Sequence, residues 1–361
     1  MTTRNEYIPQ SYSHPGETLA EKLDELGMGT KEFSIRTGKP EKTIIAVMKG
    51  ESSITPDMAV QFENVLRIPA NFWLNYQKAF DEYNARVRRQ EIIQESTNWA
   101  KRFPVSTLVQ KNWIEKKKSI EEQTIQLLNF FSVSDARAWE NYYLNQQLKV
   151  AFRISLAHIK ESYSISAWLR KGEIQAAELN SVEYSEKKFK ESLPELKSIM
   201  AKHPENFFYK MQDICLKSGV KIVYTPCLPK APINGATRWL NDSPLIQLSA
   251  RYQRNDIFWF TFFHEAGHIL LHGKKDIFLE DIEYSDKDLQ KEMEADNFAV
   301  KWTLSEEQEK EIIASFPLNE KKIVAFAKQF NTHPAMIVGR LRRKKLINFI
   351  LGKKFIQAIS L

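Results

Sequence analysis

Between residues 15 and 80, apolar positions recur every three or four residues in short bursts, each closed by glycine or proline. That is the pattern of short amphipathic helices separated by turns. "GETLAEKLDELG" puts Leu19, Leu23 and Leu26 on one face, with Gly27 and Gly29 as its stop. "TKEFSIRTG" predicts a second helix, N-capped by Thr30 and ended by Gly38, and "KPEKTIIAVMKG" a third between Pro40 and Gly50. Thr55 and Pro56 open a fourth in "PDMAVQFENVLR", and a fifth follows Pro69. Residues 85–200 keep helical spacing, with Pro104 and Pro194 as breaks and with Trp139 and Trp168 as core anchors; this stretch reads as a scaffold or partner surface. The period changes near residue 207. "GVKIVYTPCL", "NGATRWL" and "SPLIQLSARY" are β-rich runs, which predict a small antiparallel sheet. A helix from about Asp256 to Leu271 follows, with Asn255 or Asp256 as N-cap, and "NEKKIVAFAKQF" and "HPAMIVGRLRRKKL" predict two closing helices. The expected fold is mainly α with a small β-sheet (α+β), divided at 1–84, 85–206, 207–316 and 317–361.

Composition narrows the setting. Two cysteines, Cys215 and Cys227, are too few for a disulfide framework and suit a reducing compartment. No apolar run approaches the ~20 residues of a membrane-spanning helix, and "MTTRNEYIPQ" lacks a signal-peptide core. A cytoplasmic protein without a membrane partner is expected. The net charge of +7 is uneven. Residues 1–80 carry nine Lys/Arg against ten Asp/Glu, residues 85–120 nine against three, and residues 319–361 ten against one. A solvated helix face is the commoner explanation of such a basic stretch, nucleic-acid contact the rarer one.

Two short helices joined by a tight turn inside a five-helix unit are how helix-turn-helix DNA readers are built. The second would enter the major groove N-terminus first, bringing Lys39, Glu41, Lys42 and Thr43 near bases or phosphates, with Pro40, Ala46 and Lys49 on the same surface. Ile44, Val47 and Met48 would face inward. The neutral charge leaves few phosphate contacts, and a protein-binding bundle is the alternative. "HPGETL", "KG", "ITPDMA" and "FWLNYQ" resemble the HigA-type antitoxins, a branch of the XRE-like helix-turn-helix regulators, over residues 12–84. The resemblance implies operator-DNA binding, usually as a homodimer.

The chemistry concentrates in "FFHEAGHILLHG", which holds three of the seven histidines. Spacing of i and i+4 stacks His264 and His268 on one helical face, about 6 Å apart along the axis, where two imidazoles can converge on one ion. Glu265 points beside that face, as in the HExxH arrangement with glutamate as general base. His272 lies about 12 Å of helix from His264, too far for the same ion, and reads as a capping or supporting residue. Downstream, "KEMEADNFAV" offers Glu292 and Asp296 at i and i+4: one could bind the ion while the other orients a histidine from behind. Glu294 would point roughly opposite.

"FTFFHEAGHILLHG", "EMEADNFA" and "IVGRL" resemble the ImmA/IrrE family of metallopeptidases, over about residues 207–347. The resemblance implies a zincin-like domain with one Zn2+ per chain, held by His264, His268 and Glu292, with Glu265 as catalytic base. Where many members continue with "LLMP" this chain has "KWTLSEEQ", which falls on the adjoining substrate wall. The expected oxyanion donor is unassigned, with His272 and Tyr284 as weak candidates. The resemblance also implies a narrow substrate range, often a helix-turn-helix repressor. A DNA-binding regulator with a zinc endopeptidase domain, cutting a repressor or itself, is the leading expectation. The alternatives are a non-catalytic antitoxin that binds operator DNA and a toxin around a structural metal, and a peptidase whose N-terminal domain binds only protein.

Overall fold

The computed structural model describes residues 12–147, 162–229, 231, 233–272, 278–279, 286–359 and 361. The chain divides into two compact units, Met1–Glu95 and Ser96–Leu361.

Among its described residues the N-terminal unit holds five helices: α1 (Pro15–Glu25), α2 (Thr30–Thr37), α3 (Glu41–Met48), α4 (Pro56–Leu66) and α5 (Ala70–Glu95). Their apolar stripes meet in one core of Leu19, Leu23, Phe33, Ile44, Phe62 and Trp73, among others. The "HPG" stretch builds the start of α1. His14 Nδ1 accepts the Gly16 backbone N–H at 2.9 Å, and its ring meets Phe80 edge-on at 4.9 Å. Gly16 lies so close to α3 that a Cβ there would fall 1.8 Å from the Val47 carbonyl oxygen, so the packing of α1 on α3 needs a residue without a side chain. Gly38 ends α2 in the left-handed region at φ 67°. Thr55 caps α4 by accepting from Met58 N–H at 3.3 Å. Thr30 departs from expectation: its hydroxyl donates to Glu41 Oε1 at 2.7 Å instead of capping α2, whose N-cap is Gly29.

In the second unit, Trp99, Trp139, Trp168, Phe103 and Phe131 form an aromatic core that extends onto Leu228, Ile233 and Ala236. The helical stretch is thereby bonded to the sheet. Fully buried Arg238 donates to Glu173 Oε1 at 2.9 Å, and Gln247 Nε2 donates to the Trp168 carbonyl at 2.7 Å. Pro104 breaks the chain as expected, N-capping the helix Val105–Gln110. Pro194 does not: it lies inside the helix Glu186–Lys202. The carbonyl its ring leaves without a donor belongs to exposed Lys190, where water can serve it, while Phe189, Leu193, Leu196 and Met200 bury the opposite stripe.

The sheet has four strands, β1 (Lys221–Tyr224), β2 (Gly235–Leu240), β3 (Ser243–Leu248) and β4 (Phe278–Leu279), in the order β1-β3-β2-β4. The antiparallel expectation holds for β2–β3 and β2–β4, but β1 and β3 pair in parallel, Lys221 opposite Leu245. The cause is topological. The tight β2–β3 hairpin occupies one edge of β3, and β1 reaches the other through the connection at residues 225–234.

The helix carrying the histidines spans Asn255–Leu271 and is buried along most of its length. Neither Asn255 nor Asp256 caps it; the N-cap is Arg254, without a side-chain cap bond. Asn255 instead clamps the chain's end, its amide donating to the Phe355 carbonyl at 3.1 Å and accepting from Gln357 N–H at 3.2 Å. Asp256 takes both a 3.0 Å and a 2.6 Å hydrogen bond from the Arg254 guanidinium. Two further histidines brace this helix. Trp259 donates to His203 Nδ1 at 3.1 Å, and His203 lies 5.6 Å, ring to ring, from His333, the N-cap of the closing helix Pro334–Arg343.

Burial, and secondarily the neighbouring His203, push the His333 pKa down to about 4 from its ordinary 6.5. Above pH 6.5 the folded and unfolded chains both hold this ring neutral. As pH falls from 6.5 to about 4, the unfolded chain binds a proton that the folded chain refuses, so about 3 kcal/mol of stability is lost across that window. Urea unfolding at pH 7 and pH 4.5 should show this loss reduced in His333→Asn, which keeps an N-cap acceptor. An equal loss in both proteins would assign the acid sensitivity to other groups.

Candidate metal centre

His264 and His268 lie one turn apart on a helix buried on nearly every side, so their ring nitrogens have few places to go. Their Nε2 atoms are 3.0 Å apart. The helix Asp286–Thr303 packs across, and Glu292 brings Oε2 to 3.2 Å from His264 Nε2 and Oε1 to 3.4 Å from His268 Nε2. The approach depends on Gly267. A Cβ there would lie 3.1 Å from Phe298 Cβ and 3.3 Å from Ala295 Cα, both on the second helix.

The hydrogen bonds behind the rings set their tautomers. His264 Nδ1 lies 2.9 Å from Asp296 Oδ1, which as a carboxylate can only accept, so Nδ1 carries the proton. On the other side, His272 Nε2 is 3.1 Å from Glu294 Oε2, and His272 Nδ1 is 3.0 Å from His268 Nδ1. The proton-carrying His272 Nε2 donates to Glu294, and His272 Nδ1 accepts from His268. Both inner Nε2 atoms therefore turn lone pairs toward each other and toward a carboxylate. Burial, then the neighbouring His264 and His272, holds the His268 pKa well below 6.5, so its ring is neutral.

Three acceptors converging in a buried space repel one another unless a cation lies among them. The three ligand atoms fall within 4.8 Å of one another. Ligands 2.0–2.1 Å from a tetrahedral ion are separated by about 3.4 Å, close to the spacings found here. Two neutral imidazoles and one carboxylate also suit zinc by chemistry. These three residues fit the ligand set of a metal ion.

Glu265 is fully buried on the sheet side of the helix, beneath β2. Thr237 Oγ1 donates to its backbone carbonyl at 3.0 Å, and a Cβ on Gly235 would fall 2.7 Å from its Oε1. A small residue at the start of β2 gives this carboxylate its room.

The remaining predicted positions fall as follows. His272 ends the histidine helix as its C-cap and supports His268. Asp296 stands behind His264. Glu294 corrects an expectation: it does not point away but reaches His272, which sits beyond the helix end within range of a long, half-exposed side chain. Tyr284 lies outside the described residues. Thr303 and Leu304, within "KWTLSEEQ", line the cleft beside the site. In the N-terminal unit, Ile44 and Val47 are buried and Met48 packs against the core. Lys42, Ile45 and Lys49 are the exposed residues of the α3 face, with Thr43 and Ala46 half-buried and Pro40 exposed at its start. Lys39 pairs with Asp57 and Glu41 with Thr30, so both are already engaged within the unit.

Sequence reasoning missed the arginines. Arg254, Arg340, Arg342 and Arg343 line a cavity of about 660 Å3 that also reaches His264, Glu292 and Asp296. The basic "GRLRRKKL" was the available signal, but periodicity alone makes it a solvated face.

A helix-turn-helix unit followed by a unit with a His–His–Glu cluster defines a class: regulators that carry a metallopeptidase-type domain. The family model described as IrrE N-terminal-like domain, of the Peptidase_M78 family, matches residues 215–342. Over 70 residues, 19% of this chain and 74% of the relative, the sequence is 30% identical to an uncharacterized HTH-type transcriptional regulator, YddM, of Escherichia coli strain K12. An addiction-module antidote protein of the HigA family from Coxiella burnetii is 31% identical, covering 24% of this chain and 95% of that one, with a TM-score of 0.23. The antitoxin GraA is 28% identical, covering 24% and 96%, with a TM-score of 0.23. The chain belongs to the HTH-type transcriptional regulators and carries an IrrE N-terminal-like domain in its C-terminal unit. Among the described residues, no helix is long and apolar enough to cross a membrane.

Proposed function

We propose that the chain is a DNA-binding regulator whose C-terminal unit is a zinc-dependent endopeptidase, acting on a helix-turn-helix repressor or on the chain itself. The observation that carries this reading is the convergence of His264, His268 and Glu292 with an acid, Glu265, one residue from the first ligand. His264, His268 and Glu292 would hold the ion; Asp296 and the His272–Glu294 pair would fix the two imidazoles in the tautomer that binds it. Zinc bound there supplies a Lewis acid for the scissile carbonyl and lowers the pKa of water toward ~7. Glu265 would take a proton from the attacking water as the C–O bond forms, and would then give it to the departing amine as the C–N bond breaks, so the proton count balances. Burial under β2 restricts this carboxylate to few orientations.

Elemental analysis of the purified full chain should find one zinc per molecule. His264→Ala and Glu292→Ala should each lower occupancy at least tenfold in competition with a chelator. Full occupancy in both would place the metal elsewhere and remove the basis of the peptidase reading. The N-terminal unit would bind operator DNA through the α3 face, as a homodimer. With Lys39 held by Asp57, the face presents few phosphate contacts, so affinity should be modest and depend shallowly on salt. Gel-shift titration on the gene's own upstream DNA tests this, and absence of binding at low salt would reassign the unit to protein recognition.

The alternative of a non-catalytic antitoxin with a structural metal is less favoured by the site. A structural zinc has no use for an acid such as Glu265, buried one residue from the first ligand.

A further inference from the structure

The cavity beside the metal centre is unequal in charge. Arg254 is neutralised by Asp256, through two hydrogen bonds. Buried Glu309 is shared by Arg340, at 3.7 Å, and Lys344, so two cations have one carboxylate between them. The Arg342 guanidinium donates to two backbone carbonyls, those of Phe349 at 2.7 Å and Leu351 at 3.0 Å, and to no carboxylate among the described residues. Arg343 is exposed and has no ion pair among the described residues. Asp296 and Glu292, which also line the cavity, are engaged with His264 and His268. The helix end Arg340–Arg343 thus presents an excess of positive charge, carried above all by Arg342 and Arg343, to a cavity whose other lining includes Phe260, Met336 and Phe349. Burial lowers the Arg340 pKa, with Glu309 opposing that shift and the neighbouring Arg343 adding to it.

We propose that this cleft selects a peptide bearing an Asp or Glu side chain close to the bond to be cut, with Arg340 and Arg343 receiving the carboxylate. This rests on the peptidase reading above. The cavity of about 660 Å3 holds only a few residues of peptide, so neighbouring residues of one segment would meet the metal centre and the arginine wall. A guanidinium recognises a carboxylate through paired, charge-assisted bonds, which discriminates strongly against the neutral amide. The apolar lining suits side chains of a peptide better than a nucleic-acid backbone.

The test uses zinc-loaded full-length protein and peptide mixtures randomised around a central bond. Cleavage should favour Asp or Glu at one fixed position over Asn or Gln by about tenfold or more in kcat/KM. Arg343→Glu, at an exposed helix end, should abolish that ratio and shift preference toward Lys or Arg. Cleavage without acidic preference, or with a preference Arg343→Glu leaves intact, overturns the inference while the peptidase reading stands. Calorimetry on zinc-loaded Glu265→Gln with matched Asp and Asn peptides covers the other case. If no peptide is cut, binding of the Asp peptide that is lost in Arg343→Glu upholds carboxylate recognition by the arginine wall and removes the peptidase reading. Absence of both cleavage and acid-dependent binding removes both, and displacement of the Asp peptide by a short oligonucleotide at lower concentration reassigns the wall to phosphate.

Discussion

Replacing Glu265 by glutamine should leave one metal ion per chain and lower peptide hydrolysis by about 10²–10⁴-fold, the usual contribution of a positioned general base. Glutamine has nearly the same shape, so it fits the space left by Gly235, where even a methyl group would meet the side chain at 2.7 Å. What it loses is the capacity to take a proton from water. The metal ligands lie on other side chains, so occupancy and substrate KM should change little while kcat falls. This pattern separates Glu265 from His264 and Glu292, whose loss removes the ion itself. Elemental analysis beside steady-state kinetics checks it, and a Glu265→Gln protein that cuts at the original rate would return the base assignment to some other group.

The second large effect is expected at Gly267. Glycine inside a helix is about 1 kcal/mol less favourable than alanine, so retaining it requires an opposing reason. The reason is the neighbouring helix, with Phe298 Cβ at 3.1 Å and Ala295 Cα at 3.3 Å from where a Cβ would stand. Alanine asks the neighbours to shift by only a few tenths of an ångström, and the gain in helix propensity offsets part of that. Valine adds two further carbons toward the second helix and should cost about 1–3 kcal/mol by overpacking. Because Glu292 rides on the displaced helix, Gly267→Val should also weaken metal binding by at least tenfold, although residue 267 is not a ligand. Thermal unfolding with and without chelator measures both effects. A valine variant with unchanged zinc affinity would show that the helices tolerate separation.

Local pattern was a good guide wherever one element decides the outcome. The i, i+4 placement of His264 and His268 is a property of any helix through that stretch, and the burial of Ile44 and Val47 follows from the period of α3. The glycine at the end of α2 was legible for the same reason, since a positive φ is a local demand. Pro194 shows the limit: the rule that proline breaks helices failed because packing of Phe189, Leu193 and Leu196 holds the helix through it.

What only the tertiary structure decided was which distant groups meet. Spacing left Glu292 and Asp296 as alternatives at i and i+4; the crossing of two helices brings Glu292 to both inner nitrogens and Asp296 behind His264. Likewise, no periodicity tells that Glu294 reaches His272, that β1 joins β3 in parallel, or that a basic helix end faces the metal cleft. Helical and strand periods report the direction of a side chain relative to its own axis. They carry no information on the angle and distance between axes, and those two quantities build the site.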